Sequence, residues 1–77
     1  MIVSGCVEDI IFKNIANGYT VLNIDNDGVL LTCVGKALDI NAGQEVEMEG
    51  QFVKNNKFGE QFAFNSIKIK QTKQLKI

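Results

Sequence analysis

Hydrophobic and polar residues alternate along much of this 77-residue chain with the period of two that is typical of β-strands. The clearest case runs from Gln44 to Val53, where every second position is apolar or glycine. The set predicted to point inward is Val46, Met48, Gly50 and Phe52, and the set predicted to point outward is Glu45, Glu47, Glu49 and Gln51. This pattern predicts a strand with one face in a core and an acidic face in solvent, and such a face should repel a nucleic-acid backbone.

Glycine and asparagine separate five segments of this kind. Asn17-Gly18 and Asp27-Gly28 supply the positive φ angles that tight hairpin turns require. The predicted strands are Ile2–Lys13, Tyr19–Asp25, Val29–Gly35, Gln44–Val53 and Glu60–Lys70. Between the third and the fourth, Lys36–Gly43 is too short for a full helix and forms either one helical turn or a loop.

The fifth strand changes phase midway, because two phenylalanines fall on one of its faces and two isoleucines on the other. Either a bulge near Asn65-Ser66 returns both pairs to the core, or the phenylalanines face outward beside the lysines of the same strand. The residues concerned are Phe62, Phe64, Ile67, Ile69, Lys68 and Lys70. Phe12 and Phe52 are expected in the core.

Five strands in hairpin order, the first one long and bent or bulged at Gly5, predict a small all-β antiparallel barrel. The first choice is the five-stranded oligonucleotide-binding (OB) barrel, with the helix that usually bridges its third and fourth strands reduced to Ala37–Asn41 or absent. An SH3-like barrel is the alternative. The barrel would occupy residues 1–70, and residues 71–77 would form a polar tail or a truncated linker.

The chain offers little catalytic chemistry. It has no histidine and two cysteines, which excludes an ordinary zinc site, and it carries no glycine-rich phosphate loop. Cys6 and Cys33 are expected to be buried thiols, with a disulfide left open. The three glutamates of the fourth strand could share a divalent cation, but exposed acidic residues of a strand more often serve solubility. The sequence therefore predicts a non-enzyme without a cofactor.

Charge is distributed unevenly along the chain. The first 53 residues carry eight acidic residues and two lysines, whereas the last 24 carry six lysines and one glutamate. Nucleic acid is held on small barrels by exposed rings and by basic residues along the backbone. The candidate contact residues are Lys54, Lys57, Phe58, Lys68 and Lys70, and the other rings considered are Tyr19, Phe62 and Phe64. A solvated lysine-rich end that keeps an edge strand soluble is the alternative.

Several segments resemble the N-terminal OB-like domain of RecD-like (RecD/TraA-type) DNA helicases, the exodeoxyribonuclease V alpha-subunit type. They are Glu8, Ile10-Ile11-Phe12-Lys13-Asn14, Asn17-Gly18-Tyr19-Thr20-Val21-Leu22, Val34-Gly35, Gly43-Gln44, Glu49-Gly50 and Lys57-Phe58-Gly59-Glu60-Gln61-Phe62. The family usually has a polar or basic residue where this chain has Ala63, which favours Phe62 and Phe64 pointing inward. The resemblance implies ATP-driven 5′-to-3′ unwinding of DNA in bacterial repair or recombination, by a motor domain located downstream.

Three functions remain open at this point. The first is an accessory domain of such a helicase, which docks on the motor domain of the same parent chain or guides DNA. The second is a stand-alone module that binds single-stranded nucleic acid, and the third is a self-association domain. No apolar run approaches the roughly 20 residues that a membrane span needs, and no secretory signal is visible at Met1. A cytoplasmic protein without a membrane partner is therefore expected, with its oligomeric state open.

Overall fold

Five strands close into a barrel in the order β1-β2-β3-β5-β4. The computed structural model describes residues 1–37, 39–57 and 59–70. The strands are β1 (Ile2–Lys13), β2 (Tyr19–Asn26), β3 (Val29–Lys36), β4 (Glu45–Asn55) and β5 (Gly59–Ile69). These bounds lie within two residues of the predicted ones, and the fold is the all-β OB-type barrel that the sequence indicates. The predicted tail, 71–77, lies outside the described residues.

One pairing departs from the predicted antiparallel arrangement. β3 and β5 run parallel, through Cys33 opposite Phe62 and Val34 opposite Ala63. The other four neighbouring pairs are antiparallel. The expectation of a wholly antiparallel barrel was wrong because strand directions cannot alternate around a closed ring of five, so one pair must be parallel.

The connection between β3 and β4 contains no helix in its described part, which is Ala37 and 39–44. This agrees with the prediction that the bridging helix is reduced or absent. The backbone of Ala37 donates a hydrogen bond to the carbonyl oxygen of Gly18 at 2.9 Å, and Gly43 donates one to Val7 at 2.8 Å. The connection is therefore tied to the β1–β2 loop at one point and to β1 at another. None of the described residues forms a helix that could cross a membrane.

The long first strand serves two partners. Its residues Ile2–Cys6 pair with β4, and its residues from Cys6 onward pair with β2. Gly5, where the sequence predicts a bend or bulge, lies at this change of partner. A Cβ atom at Gly5 would lie only 2.5 Å from the carbonyl oxygen of Asp25, so glycine permits the close approach of β1 to β2.

The phase change of β5 is resolved by a bulge. Glu49 pairs with Ser66 and the next residue of β4, Gly50, pairs with Phe64, so Asn65 is the extra residue. Phe62 and Phe64 are buried in the core, and the bulge brings Ile67 to the same face, as the first of the two alternatives for this strand predicted. Ile67 packs against the same core, whereas Ile69, near the end of the strand, remains 40% exposed.

The core contains the inward residues of all five strands and of the β3–β4 connection. Its buried members are Val7, Leu22, Ile24, Cys33, Ala37, Ile40, Val46, Met48, Phe62 and Phe64. The ring of Phe52 contacts that of Phe62 edge-on, with centroids 5.1 Å apart, but it is 37% exposed at the margin of the core. On the opposite face of β4, Glu45, Glu49 and Gln51 are exposed and Glu47 is half-buried, which confirms the predicted acidic outer face.

Candidate nucleic-acid interface

A row of side chains crosses the outer surface of the barrel from strand to strand. The register places Phe12 opposite Val21, Val21 opposite Val34, Val34 opposite Ala63, and Ala63 opposite Gln51. Because Val21 and Ala63 each lie between two buried residues of their strand, this row faces solvent. We call these five residues the outer row. Four of them are apolar, so the outer row is a mainly hydrophobic strip.

Two aromatic rings lie side by side at one end of the outer row. The centroids of Phe12 and Tyr19 are 6.5 Å apart and their planes are inclined at 58°. Phe12 is 48% exposed and Tyr19 is 39% exposed. The two rings therefore present flat apolar surface to solvent in two directions, which is the surface on which nucleobases stack.

The exposure of Phe12 corrects its expected place in the core, and the cause is a bulge in β1. Ile10 pairs with Leu22 and Phe12 pairs with Val21, so β1 advances by two residues while β2 advances by one. The extra residue turns Phe12 to the outer face, opposite to the face on which strict alternation from Ile10 would place it. Alternation alone could not reveal this.

Two lysines lie near the rings, on different faces of the sheet. Lys36 pairs with Tyr19 across β2 and β3 and so lies on the same face as that ring, whereas Lys13 follows Phe12 at the end of β1 and pairs with Thr20, which faces the core. Both lysines are exposed. In the sequence they look isolated, because 22 residues lie between them, and only the pairing of the three strands brings them to one end of the barrel. A correct strand register for the β1–β2 and β2–β3 hairpins would have shown from the sequence that these two lysines lie near the rings.

A polar row lies on the other side of the outer row. The Nδ2 amide of Asn23 donates a hydrogen bond of 3.2 Å to the carboxylate of Asp9, and the hydroxyl of Thr32 donates one of 2.8 Å to Asn23 Oδ1. Asp9 places a negative charge at this margin, whereas Lys36 places a positive charge at the opposite one. A phosphate backbone would therefore be favoured on the lysine side.

The lysines predicted as contact residues fall into two groups. Lys54 lies near the tip of the β4–β5 hairpin opposite Glu60, and Lys57 lies in the turn of this hairpin. Lys68 and Lys70 lie at the other end of the eleven-residue strand β5. At about 3.3 Å per residue, the eight residues from Glu60 to Lys68 separate the two groups by roughly 26 Å, so they do not form one continuous track.

Acidic residues accompany the second group. Lys68 pairs with Glu47, and the backbone of Lys70 donates a hydrogen bond to the carbonyl oxygen of Glu45 at 2.8 Å. Of the rings considered for stacking, Phe62 and Phe64 are buried in the core. The predicted contact residue Phe58 lies outside the described residues. A contact of any of these four lysines with nucleic acid stays a prediction.

The two cysteines are free thiols in different surroundings. Cys33 is buried in the core, and desolvation by burial raises its pKa from 9.0 to about 12, so it stays protonated and unreactive near neutral pH. Cys6 is half-buried on β1. Within the described residues, no three histidine, cysteine or acidic side chains come together as a metal site would require.

Comparison with known proteins connects this barrel to one family. A search of curated proteins finds no match to the chain. The family model for the OB-fold domain of the ATP-dependent DNA helicase YrrC matches residues 1–72. This match spans all five strands and the outer row. The chain therefore belongs to the family of OB-fold domains of YrrC-type ATP-dependent DNA helicases, as an accessory domain of a helicase rather than its motor.

Proposed function

We propose that this domain guides single-stranded DNA to the motor of a RecD-like helicase, in which it is the N-terminal domain. The motor would lie downstream in the same parent chain and unwind DNA with 5′-to-3′ polarity during repair or recombination in the bacterial cytoplasm. The observation that carries the proposal is the exposed ring pair of Phe12 and Tyr19, which has Lys36 beside it on the outer surface of the barrel.

The rings would supply most of the binding energy. Stacking of one base on an exposed ring contributes about 1–3 kcal/mol. Because the two planes are inclined at 58°, they would hold successive bases separately instead of clamping a single base between them. The apolar outer row continues from the rings as a surface along which the next bases could lie.

Lysine would add a weak electrostatic contribution. Each phosphate neutralised on single-stranded DNA changes log K by about −0.7 per unit of log salt concentration, so Lys36, the lysine on the same face as the rings, predicts a slope near −0.7. The chain as a whole has a net charge of −1, which opposes stronger binding. Weak binding suffices for a domain tethered to a motor, because the tether keeps the DNA that the motor holds at a high effective concentration.

Titration with a fluorescent oligothymidylate at low salt tests this proposal. Phe12→Ala and Tyr19→Ala should each weaken binding about fivefold or more, as the loss of one stacked base requires. Leu30→Ala is the matched control, since it removes a side chain that is 62% exposed on β3 and lies outside the outer row. If the ring variants bind as tightly as the control, or if the natural chain does not bind at low salt, DNA guidance is refuted.

Charge reversals distinguish the two candidate tracks. Lys36→Glu should weaken binding and flatten its salt dependence, because it removes a charge beside the rings. The combined reversal of Lys57, Lys68 and Lys70 to Glu tests the lysines predicted from the sequence. A loss of binding that is confined to the combined variant would move the site from the outer row to the β4–β5 hairpin.

Protein docking is the second candidate function, and several exposed aliphatic side chains favour it. Ile15 is 90% exposed, and Ile2 and Leu30 are each more than 60% exposed. The partner would be the motor domain of the same parent chain. The absence of DNA binding together with binding of the isolated motor would establish docking, and sedimentation at high micromolar concentration would detect self-association instead.

A further inference from the structure

An apolar groove opens at the end of the barrel between β3 and β5. Its volume is about 560 Å³. Ala37 and Ile40, which are 5% and 4% exposed, belong to its lining, as do Ile67 and Ile69 of β5 and Lys36 at the end of β3. The groove is distinct from the outer row, although Lys36 borders both.

The groove exists because the two parallel strands separate. β3 and β5 pair only at Cys33–Phe62 and Val34–Ala63. Beyond these pairs, β3 ends at Lys36 while β5 continues to Ile69 alongside β4 alone. The described part of the connection between β3 and β4 forms no helix that would cover this end.

The edge of β5 that borders the groove is open. The backbone of Lys70 donates a hydrogen bond of 2.8 Å to the carbonyl oxygen of Glu45 on β4. In an antiparallel pair, every second residue directs its backbone N–H and C=O groups toward the partner strand. By this alternation, Ile67 and Ile69 direct their groups away from β4 and toward the groove. No described strand pairs with β5 on that side beyond Ala63, so backbone donors and acceptors lie beside an apolar surface.

We propose that the open edge of β5 and the groove together bind an extended segment of a partner protein, which adds to the sheet as a further strand. Its backbone would form hydrogen bonds with Ile67 and Ile69, as in other cases of strand addition. Alternate side chains of a strand point to opposite faces, so one set would enter the groove and contact Ala37 and Ile40. This set must be aliphatic, because the contacted side chains are apolar.

The other set of side chains on the added strand must be acidic. Lys68 and Lys70 alternate with Ile67 and Ile69 and therefore lie on the outer face of β5. On the β4 side, the cross-strand neighbour of Lys68 is Glu47. An acidic residue of the added strand would take the equivalent place on the open side, whereas like charges in that place are destabilising. A second copy of β5 is therefore a poor occupant, because it would bring its own lysines.

β4 already shows the chemistry that β5 accepts on its paired edge. Val46 and Met48 are buried, and they alternate with the glutamates of the acidic outer face. The partner segment should carry the same alternation of aliphatic and acidic residues. This inference gives protein docking a defined surface, and it does not depend on DNA guidance, because the added strand leaves the outer row free.

Titration of the isotope-labelled 77-residue chain with a hexapeptide of alternating valine and glutamate, blocked at both ends, tests the proposal. The amide NMR signals of Ile67 and Ile69 should shift. At a peptide concentration of about ten times Kd, their hydrogen exchange should also slow about tenfold, because exchange then occurs from the small free fraction. The amide of Lys68 already points to β4, so its exchange should stay unchanged. A ligand that only filled the groove would shift the signals without slowing exchange.

Matched peptides and variants separate the charge, the apolar contacts and the backbone pairing. Replacing glutamate by lysine, or valine by serine, should weaken peptide binding about tenfold or more. Ile69→Pro removes the N–H group that points to the groove and spares the hydrogen bonds with β4, so peptide binding should be lost. Ile69→Val keeps this N–H group and should bind the peptide nearly as the natural chain does. If Ile69→Pro fails to fold, the peptide series on the natural chain still decides.

Three results would overturn the proposal. The first is binding of the lysine peptide as tightly as the glutamate peptide, or shifts without slower exchange. The second is slow exchange of Ile67 and Ile69 that depends on protein concentration in the absence of peptide, which would show that a second copy occupies the edge. The third is protection of the same amides by an oligothymidylate, which would assign the groove to nucleic acid. Failure of DNA binding at the outer row would leave the peptide result unaffected.

Discussion

Replacement of Gly50 by alanine should strongly destabilise the barrel, although the hydrophobic pattern of β4 accommodates alanine there. A Cβ at this position would lie against the carbonyl oxygen of Ala63 and 2.6 Å from the Cα of Phe64. Both obstacles are backbone atoms of β5 next to the bulge at Asn65, so no side chain can rotate away. The strands must instead separate at the point where the bulge sets the phase of the core.

The expected loss is about 2–2.5 kcal/mol, with the overpacking cost at the upper end of its range because both obstacles are backbone atoms. Overpacking of this kind costs about 1–3 kcal/mol and occasionally more. Alanine recovers roughly 0.5–1 kcal/mol through the smaller conformational entropy of the unfolded chain. Stability of roughly 4–12 kcal/mol is typical of a chain of this length, so the variant should still fold at low temperature. Its melting temperature should fall by roughly 10–20 °C.

Urea unfolding followed by circular dichroism measures this loss. The midpoint should fall while the m-value stays unchanged, as for a folded variant of lower stability. Gly28→Ala is the control for the loss of a glycine, because a Cβ at Gly28 meets nothing within 4 Å. Only the φ of 88° disfavours alanine there, and this should lower the free energy of unfolding by about 1–2 kcal/mol. A Gly50→Ala protein as stable as the natural chain would refute the close approach of β4 and β5.

Three further predictions concern the core thiol, a turn and a side-chain hydrogen bond. Cys33 should resist alkylation at pH 8 in the folded protein while Cys6 reacts, as mass spectrometry would show. Because burial raises the pKa of Cys33 from 9.0 to about 12, only the unfolded chain ionises this thiol between these two pH values. The free energy of unfolding should therefore decrease as the pH rises above about 9. Gly18→Val should destabilise the chain by more than about 1 kcal/mol in thermal melts, because Gly18 has a φ of 78° that a β-branched residue resists, and a normal melting temperature would contradict this. Asn26→Ala should cost about 1 kcal/mol in urea unfolding, because it removes the 2.7 Å hydrogen bond from Asn26 Nδ2 to the carbonyl oxygen of Ser4, whereas an unchanged midpoint would show that water replaces it.

Features with a local cause were predictable from the sequence. Gly18 and Gly59 have φ angles of 78° and 77°, as the predicted turns require. Asp27 and Gly28 both have positive φ, which is the conformation that an Asp-Gly hairpin turn favours. The bulge near Asn65 was one of two alternatives that the sequence left open, because the phase of the hydrophobic pattern shifts within this strand.

The candidate site was less predictable, because it depends on which strands become neighbours. The sequence drew attention to lysines that follow Val53, and the barrel separates these into two groups at the ends of β5. The ring pair of Phe12 and Tyr19 was missed as a unit, since a bulge in β1 turns Phe12 outward. Lys36 reaches this pair only through the β2–β3 register.

The sequence by itself determined the strands, the turns and the side of β4 that faces the core, because alternation and glycine conformations act over a few neighbouring residues. Only the tertiary structure decided the parallel β3–β5 pair, the outward position of Phe12 and the open groove beside Ile69. The parallel pair follows from closing an odd number of strands into one ring, and the groove follows from the separation of these two strands, whereas a bulge in β1 turns Phe12 outward. Ring closure is a property of the whole barrel, so no local pattern encodes it.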